Sequence, residues 1–263
     1  MTYRHLEVTL ADRVATVWLN RPDVRNALDE TVVAELNDVF VRLGTDDAVS
    51  AIILAGRGKA FCAGGDLNWM KRTASYSSSE NETDALRLAG MLQTLHECPK
   101  PTIARVHGAA FAGGMGLAAV CDIVVAQRGA EFCLSEVRIG LVAATISPYV
   151  LQALGVRASR RYMLTAERIS AAEAYRLGFV HELCEEGEID VSVAMLVSQL
   201  SAGGPMALAQ TKRLISRVAG QPVCADVMRA TADLIAQVRA SSEGREGVDA
   251  FLQKRPAAWI HND

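Results

Sequence analysis

Apolar and polar residues alternate over positions 6–10 and again over 14–19, with Ala11-Asp12-Arg13 between them, a pattern that predicts a β-hairpin. Asn20-Arg21-Pro22-Asp23 breaks the alternation. The period then lengthens. Val32, Val33, Leu36, Val39, Phe40 and Leu43 recur at helical spacing, so a helix is expected over 30–43, capped by Asp29 and stopped at Gly44. Residues 50–55 read as a fully buried strand, and 73–84, rich in Ser and Thr, as a mobile loop. A helix over 82–97, with Leu86, Ala89, Leu92 and Leu95 inward, ends at Pro99 and Pro101, and 102–106 is a strand. Helical patterns follow at about 147–154, 158–165, 170–177, 189–200, 205–217, 223–239 and 245–254. Strand and helix thus alternate early, while the last quarter is nearly all helix. An α/β core with a helical C-terminal appendage is the fold class this implies.

Composition narrows the function without naming it. Half of the 263 residues are apolar and 22% are charged, enough for a sizeable core. A net charge of −3 offers no basic field for nucleic acid or an anionic membrane. No apolar run approaches the ~18 residues of a membrane span. Charges occupy the N-terminal stretch where a signal peptide needs an apolar segment, so a cytoplasmic protein is expected. Six scattered cysteines are expected to be buried free thiols, and no histidine spacing suggests a metal site.

Two glycine-rich connections carry the candidate chemistry. Gly64-Gly65 follows the strand at 50–55, and Gly113-Gly114 follows the strand at 102–106. Each leads towards a helical stretch, where backbone N–H groups lack intrahelical acceptors and the helix end carries partial positive charge. Two such loops side by side would aim two donors at one oxygen. Glu136 lies beyond the second loop as a candidate acid/base. Gly114-Met115-Gly116-Leu117-Ala118-Ala119 also fits a dinucleotide fingerprint, with Glu136 at the ribose-binding distance. A strand at 122–126 leaves only about a turn and a half of helix, too short for a βαβ crossover. Neither loop has the Gly-Lys-[Ser/Thr] of a P-loop.

With the loops and Glu136 in view, the chain resembles the enoyl-CoA hydratase/isomerase (crotonase) superfamily along essentially its whole length. The resemblance rests on Asn20-Arg21-Pro22, Asn26-Ala27-Leu28, the run from Lys59 to Leu67 (KAFCAGGDL), and Lys100-Pro101-Thr102-Ile103-Ala104. Gly108 to Gly114 (GAAFAGG), Cys121-Asp122 and Phe251-Leu252-Gln253-Lys254-Arg255 complete it. It implies a crotonase (ClpP-like) spiral of ββα units over 1–195 and a helical oligomerisation region over 196–263, giving a homotrimer or a dimer of trimers. It also implies an acyl-CoA substrate, with CoA entering as part of the thioester and no separate cofactor or metal. The thioester oxygen would sit between the N–H groups of Gly65 and Gly113. Ala63, Gly64, Asp66 and Leu67 would lie along the CoA, Arg25 near its phosphates, and Phe251 and Lys254 would reach it from a neighbouring subunit.

One departure bears on the reaction. Hydratases of this family use two glutamates about a water; the second maps onto Glu136, the first onto Gly116. A single carboxylate suits either a hydratase with another water-orienting group, for which Thr145, Ser147 and Tyr149 are candidates, or a double-bond isomerase. A non-catalytic CoA-ester-binding protein is the third reading. The run from Glu136 to Val150 (EVRIGLVAATISPYV) resembles 3-methylglutaconyl-CoA hydratases, with Ala143 in place of an expected proline. A branched, carboxylated enoyl-CoA is therefore the expected substrate, with an enlarged pocket beside Gly116 and a cation from Lys71, Arg72 or Arg157.

Overall fold

The computed structural model describes residues 2–260. Its strands are β1 (Leu6–Ala11), β2 (Val14–Leu19), β3 (Ala51–Gly56), β4 (Thr102–Val106), β5 (Ala109–Phe111), β6 (Ile123–Gln127), β7 (Glu131–Cys133), β8 (Ile169–Ser170) and β9 (Glu182–Cys184). Between them run α1 (Glu30–Thr45), α2 (Leu67–Thr73), α3 (Ser78–His96), α4 (Gly113–Val120), α5 (Ser147–Thr165) and α6 (Ala171–Arg176). The chain closes with α7 (Ile189–Ser201), α8 (Pro205–Val218), α9 (Ala225–Ala240) and α10 (Ser242–Gln253).

A six-stranded sheet in the order β1-β2-β3-β4-β6-β9 forms the first layer, antiparallel only between β1 and β2. A three-stranded sheet, β5-β7-β8, forms the second. The β1–β2 hairpin turns at Asp12 and Arg13, both with positive φ, as a two-residue hairpin loop requires. β3 is buried at all six positions because the sheet is covered on both faces. Phe40, Leu54, Phe61, Met91, Leu92 and Phe132 lie in the main core, while Ile53, Ile103 and Val125 meet Ile189 and Val193 of α7 on the other face. A division at 195/196 falls inside α7, and its outer ends, residue 1 and residues 261–263, lie outside the described residues.

Three local expectations need correction. Residues 78–84 are helical, because Ser77 and Glu80 form a reciprocal capping box that starts α3 four residues before the expected helix start at 82. Leu86 points outward at 64% exposure and Ala89 is half-buried; Met91, Leu92 and Leu95 form the inner face. Gly44 is buried within α1, which runs on to Thr45; packing against Pro99, where an added Cβ would lie 3.2 Å from Cδ, explains the glycine better than a helix stop. Asp29 caps α1 as expected, accepting from Thr31 and Val32 N–H. The two helical patterns over 147–165 form one element with a break at Gly155 (φ 73°). All six cysteines are free; five are buried and Cys224 is exposed.

Asn26 ties the first connection together. Its side chain accepts from Arg21 N–H at 2.9 Å and donates to the carbonyls of Arg57 and Ala60, each at 2.8 Å. It is 1% exposed and left-handed (φ 57°), a conformation asparagine tolerates. Asn26→Ala would strand these groups. We expect a stability loss of about 3 kcal/mol, since each buried polar group left unpaired costs roughly 1–3 kcal/mol. Urea unfolding reads it; a loss below about 1 kcal/mol would mean water replaces the amide.

Candidate active site

The backbone zips the two glycine loops together. Cys62 N–H donates to Ala109 O at 3.0 Å, and Phe111 N–H to Cys62 O at 2.9 Å. A Cβ on Gly114 would overlap the Cys62 carbonyl, and one on Gly64 (φ 100°) would sit 3.1 Å from both Phe111 O and Ala112 Cβ. Side chains at either position would push the loops apart. Ala112 completes the turn in a strained conformation (φ 48°, ψ −119°), pinned by its N–H bond to Cys133 O at 2.7 Å.

Two donors are left open. Leu28 N–H bonds Gly64 O and Asp66 N–H bonds Leu28 O, a parallel bridge that turns the Gly65 N–H away from Leu28. Gly113 is the first residue of α4, so its N–H has no intrahelical acceptor. Among the described residues neither N–H has a partner. Both belong to loops held side by side, the arrangement an oxyanion needs.

Arg21 locks the first loop in place. Its guanidinium pairs with Asp29 at 3.1 Å and Asp66 at 3.0 Å, the capping residues of α1 and α2. Burial works to raise the Asp66 pKa, but the N–H groups of Asn68 and Trp69 and the Arg21 charge outweigh it and hold the carboxyl below its usual range. The Asp66 side chain is thus committed to the loop's own frame and is not free for a ligand. Ala63 is half-buried, and its N–H bonds Arg25 O at 3.0 Å. The Arg25 side chain beside it is exposed, as is Leu67 at 74%. Phe251, 82% exposed, and Lys254, the left-handed cap of α10, stand on the C-terminal surface.

Glu136 opens a short 3-10 turn, Glu136–Ile139, that follows β7. β7 pairs in parallel with β5, Phe111 opposite Cys133, so the chain leaves both strands at the same end towards Gly113 and Glu136. Glu136 Oε2 is buried with no hydrogen-bond partner. Burial raises its pKa above the ordinary glutamate value, opposed by its own backbone N–H. The residue borders a cavity of about 410 Å³ walled by Val142, Ala143, Leu151 and Met163, with Ser159 and Arg160 as the other polar residues. Ser159 is fully buried, and its Oγ also lacks a partner. Neither Ser159 nor Arg160 announced itself in the sequence, because each stands inside an ordinary helical pattern.

Several expected pocket residues lie elsewhere or are engaged. Tyr149 packs against His96, ring centroids 5.1 Å apart, in a separate cleft with Asp122, His181 and Lys212. Ser147 Oγ donates to Ala144 O at 2.8 Å within the turn that starts α5. Thr145 is half-buried, and its side chain makes no hydrogen bond among the described residues. Arg72 pairs with Glu30 at 2.6 Å, Lys71 and Arg157 are exposed, and none of the three borders the Glu136 cavity. The expected enlargement beside Gly116 is absent. A Cβ there would overlap Ile146 Cγ2 and stand 2.9 Å from Ile146 Cβ, so isoleucine fills the space.

Comparison with known proteins shows the family and the fold. The family model described as enoyl-CoA hydratase/isomerase matches residues 9–262. A solved enoyl-CoA hydratase from Shewanella pealeana superposes with a TM-score of 0.95 at 39% identity, covering 97% of this chain and 96% of that one. The crotonyl-CoA hydratase of Syntrophomonas wolfei is 29% identical over 265 residues, 99% of each chain. An enoyl-CoA hydratase of Alternaria alternata, ACTT6, is 34% identical over 92% of this chain and 80% of its own.

Proposed function

The chain belongs to the enoyl-CoA hydratase/isomerase family and is an enzyme of the hydratase type, and on that premise we propose that it adds water to a short 2-enoyl-CoA with Glu136 as its single acid/base. The observation that carries this is a half-buried Glu136 carboxyl whose Oε2 is buried without a hydrogen-bond partner, at the same end of the β5–β7 pair as the open Gly113 N–H. The Glu136 carboxylate takes a proton from water while the water oxygen bonds to Cβ. The double-bond electrons move towards the thioester oxygen, where the N–H groups of Gly65 and Gly113 hold the developing charge. That enolate collapses as the proton passes from Glu136 to Cα, leaving a 3-hydroxyacyl-CoA.

Within that class, the likeness of the run from Glu136 to Val150 to branched-chain hydratases makes 3-methylglutaconyl-CoA the first substrate to test. Arg160, on the wall of the Glu136 cavity, is the cation we assign to its carboxylate. CoA arrives with the substrate; Arg25, Ala63, Gly64 and Leu67 would flank it, with Phe251 and Lys254 approaching from another copy. Exposed Val142, Val156 and Leu164 near Glu136, and Phe251 and Leu252 on α10, leave apolar surface that further copies would cover in a homotrimer or dimer of trimers, which we place in the cytoplasm.

Solvent labelled with heavy oxygen decides between hydration and isomerisation. Incorporation of the label at Cβ is expected; a shifted double bond with no label would overturn hydration in favour of isomerisation by Glu136.

A further inference from the structure

The contact between Gly116 and Ile146 joins two parts of the chain thirty residues apart. Gly113 and Gly116 are three residues apart on α4 and therefore share a helix face. With a rise of about 1.5 Å per residue, Gly116 stands ~4.5 Å along the axis from the open N–H of Gly113. An acyl chain whose thioester oxygen meets that N–H extends its first carbons over a similar distance. Whatever stands on Gly116 therefore stands beside Cα and Cβ.

Ile146 occupies that position. It is 2% exposed and immediately precedes α5, and its backbone carbonyl accepts from Val150 N–H at 3.1 Å. A β-branched side chain is stiff at χ1, so it does not swing aside readily. Ala143, in the same connection, is buried on the wall of the Glu136 cavity, and Leu141 N–H bonds Glu136 O at 3.1 Å. Ile146 thus packs against α4 from the connection that leads from Glu136 to α5.

We propose that Ile146 is the specificity-determining residue of the acyl pocket. It fills with hydrocarbon the space a second carboxylate would need, and it excludes bulky Cβ substituents from the α4 side of the pocket. The inference rests on the acyl-CoA reading of the two glycine loops.

The test compares Ile146→Ala and the gentler Ile146→Val with the wild type on cinnamoyl-CoA, which carries a phenyl group at Cβ, and crotonyl-CoA, which carries a methyl. Saturated analogues, 3-phenylpropanoyl-CoA and butyryl-CoA, give the same comparison by calorimetric binding. Ile146→Ala should raise the cinnamoyl-to-crotonyl ratio of kcat/KM by at least about 10-fold, the scale of a methylene-sized change in an apolar pocket. Ile146→Val should shift it in the same direction by less, and the binding ratio should follow. Gly116→Ala should lower Tm with Ile146 present and do so less in the Ile146→Ala background. Unchanged ratios in both variants, by turnover and by binding, would overturn the proposal. A shifted binding ratio in a protein that hydrates no enoyl-CoA would sink the hydration reading and leave the pocket assignment standing.

Discussion

Glu136→Gln should lower hydration of an enoyl-CoA by about 10²–10⁴-fold, the usual range for removing a general acid/base. Acyl-CoA affinity should stay within about threefold, because neither open N–H is touched and uniform binding is separable from turnover. The wild-type pH profile carries a second signature. Burial raises the Glu136 pKa, and the ionised form accepts the water proton. The acid limb of kcat/KM should therefore fall at a pH above the ordinary glutamate range of about 4.3. Stability gives a third. A carboxyl whose folded pKa exceeds its unfolded one destabilises the fold as pH rises from the unfolded value through the folded value, and the cost is complete above it. The glutamine variant should accordingly melt higher than wild type at neutral pH, with the difference vanishing below about pH 4. Full activity in the variant would move the chemistry to another residue. An unchanged melting difference across the pH range would show that the carboxyl is solvated.

What was legible in the sequence was local. The hairpin turn at Asp12-Arg13 and the Asp29 cap each depend on residues within a few positions, and the structure has them where the pattern puts them, while the gap between the helical patterns at 154 and 158 holds the non-helical Gly155 inside one element. Ser77 and Glu80 were equally local, yet a Ser/Thr-rich composition read as loop concealed a capping signal. Contacts between distant segments were not legible. Nothing in the pattern says that Arg21 joins the caps of α1 and α2, or that Asn26 reaches Ala60. The glycine at 116 implied a void only while its neighbour was unknown; Ile146, thirty positions on, fills it. Glu136 could be picked out because a carboxylate is recognisable by type. Ser159 and Arg160 could not, because a helix pattern does not say which turn faces a cavity.

Adjacent glycines in the second loop should behave in opposite ways. At Gly113 a Cβ would meet only Leu28 Cδ1, at 2.9 Å, the far end of a flexible side chain that can rotate away. Gly113 also lacks a left-handed φ, so a side chain adds no backbone strain. Gly113→Val should therefore fold, while its branched side chain displaces the thioester oxygen from the N–H or reorients that donor. Losing one oxyanion donor costs about 2.7–4 kcal/mol, so kcat should fall by roughly 10²–10³-fold with Tm nearly unchanged. At Gly114 the added Cβ would overlap the Cys62 carbonyl, part of the backbone that zips the loops together. Gly114→Ala should lower Tm first and lose activity as a consequence. Steady-state kinetics and thermal melts on the two variants separate donor from spacer. A Gly113→Val enzyme with kcat within about twofold of wild type would remove this N–H from the transition state and leave the Gly65 donor without its partner.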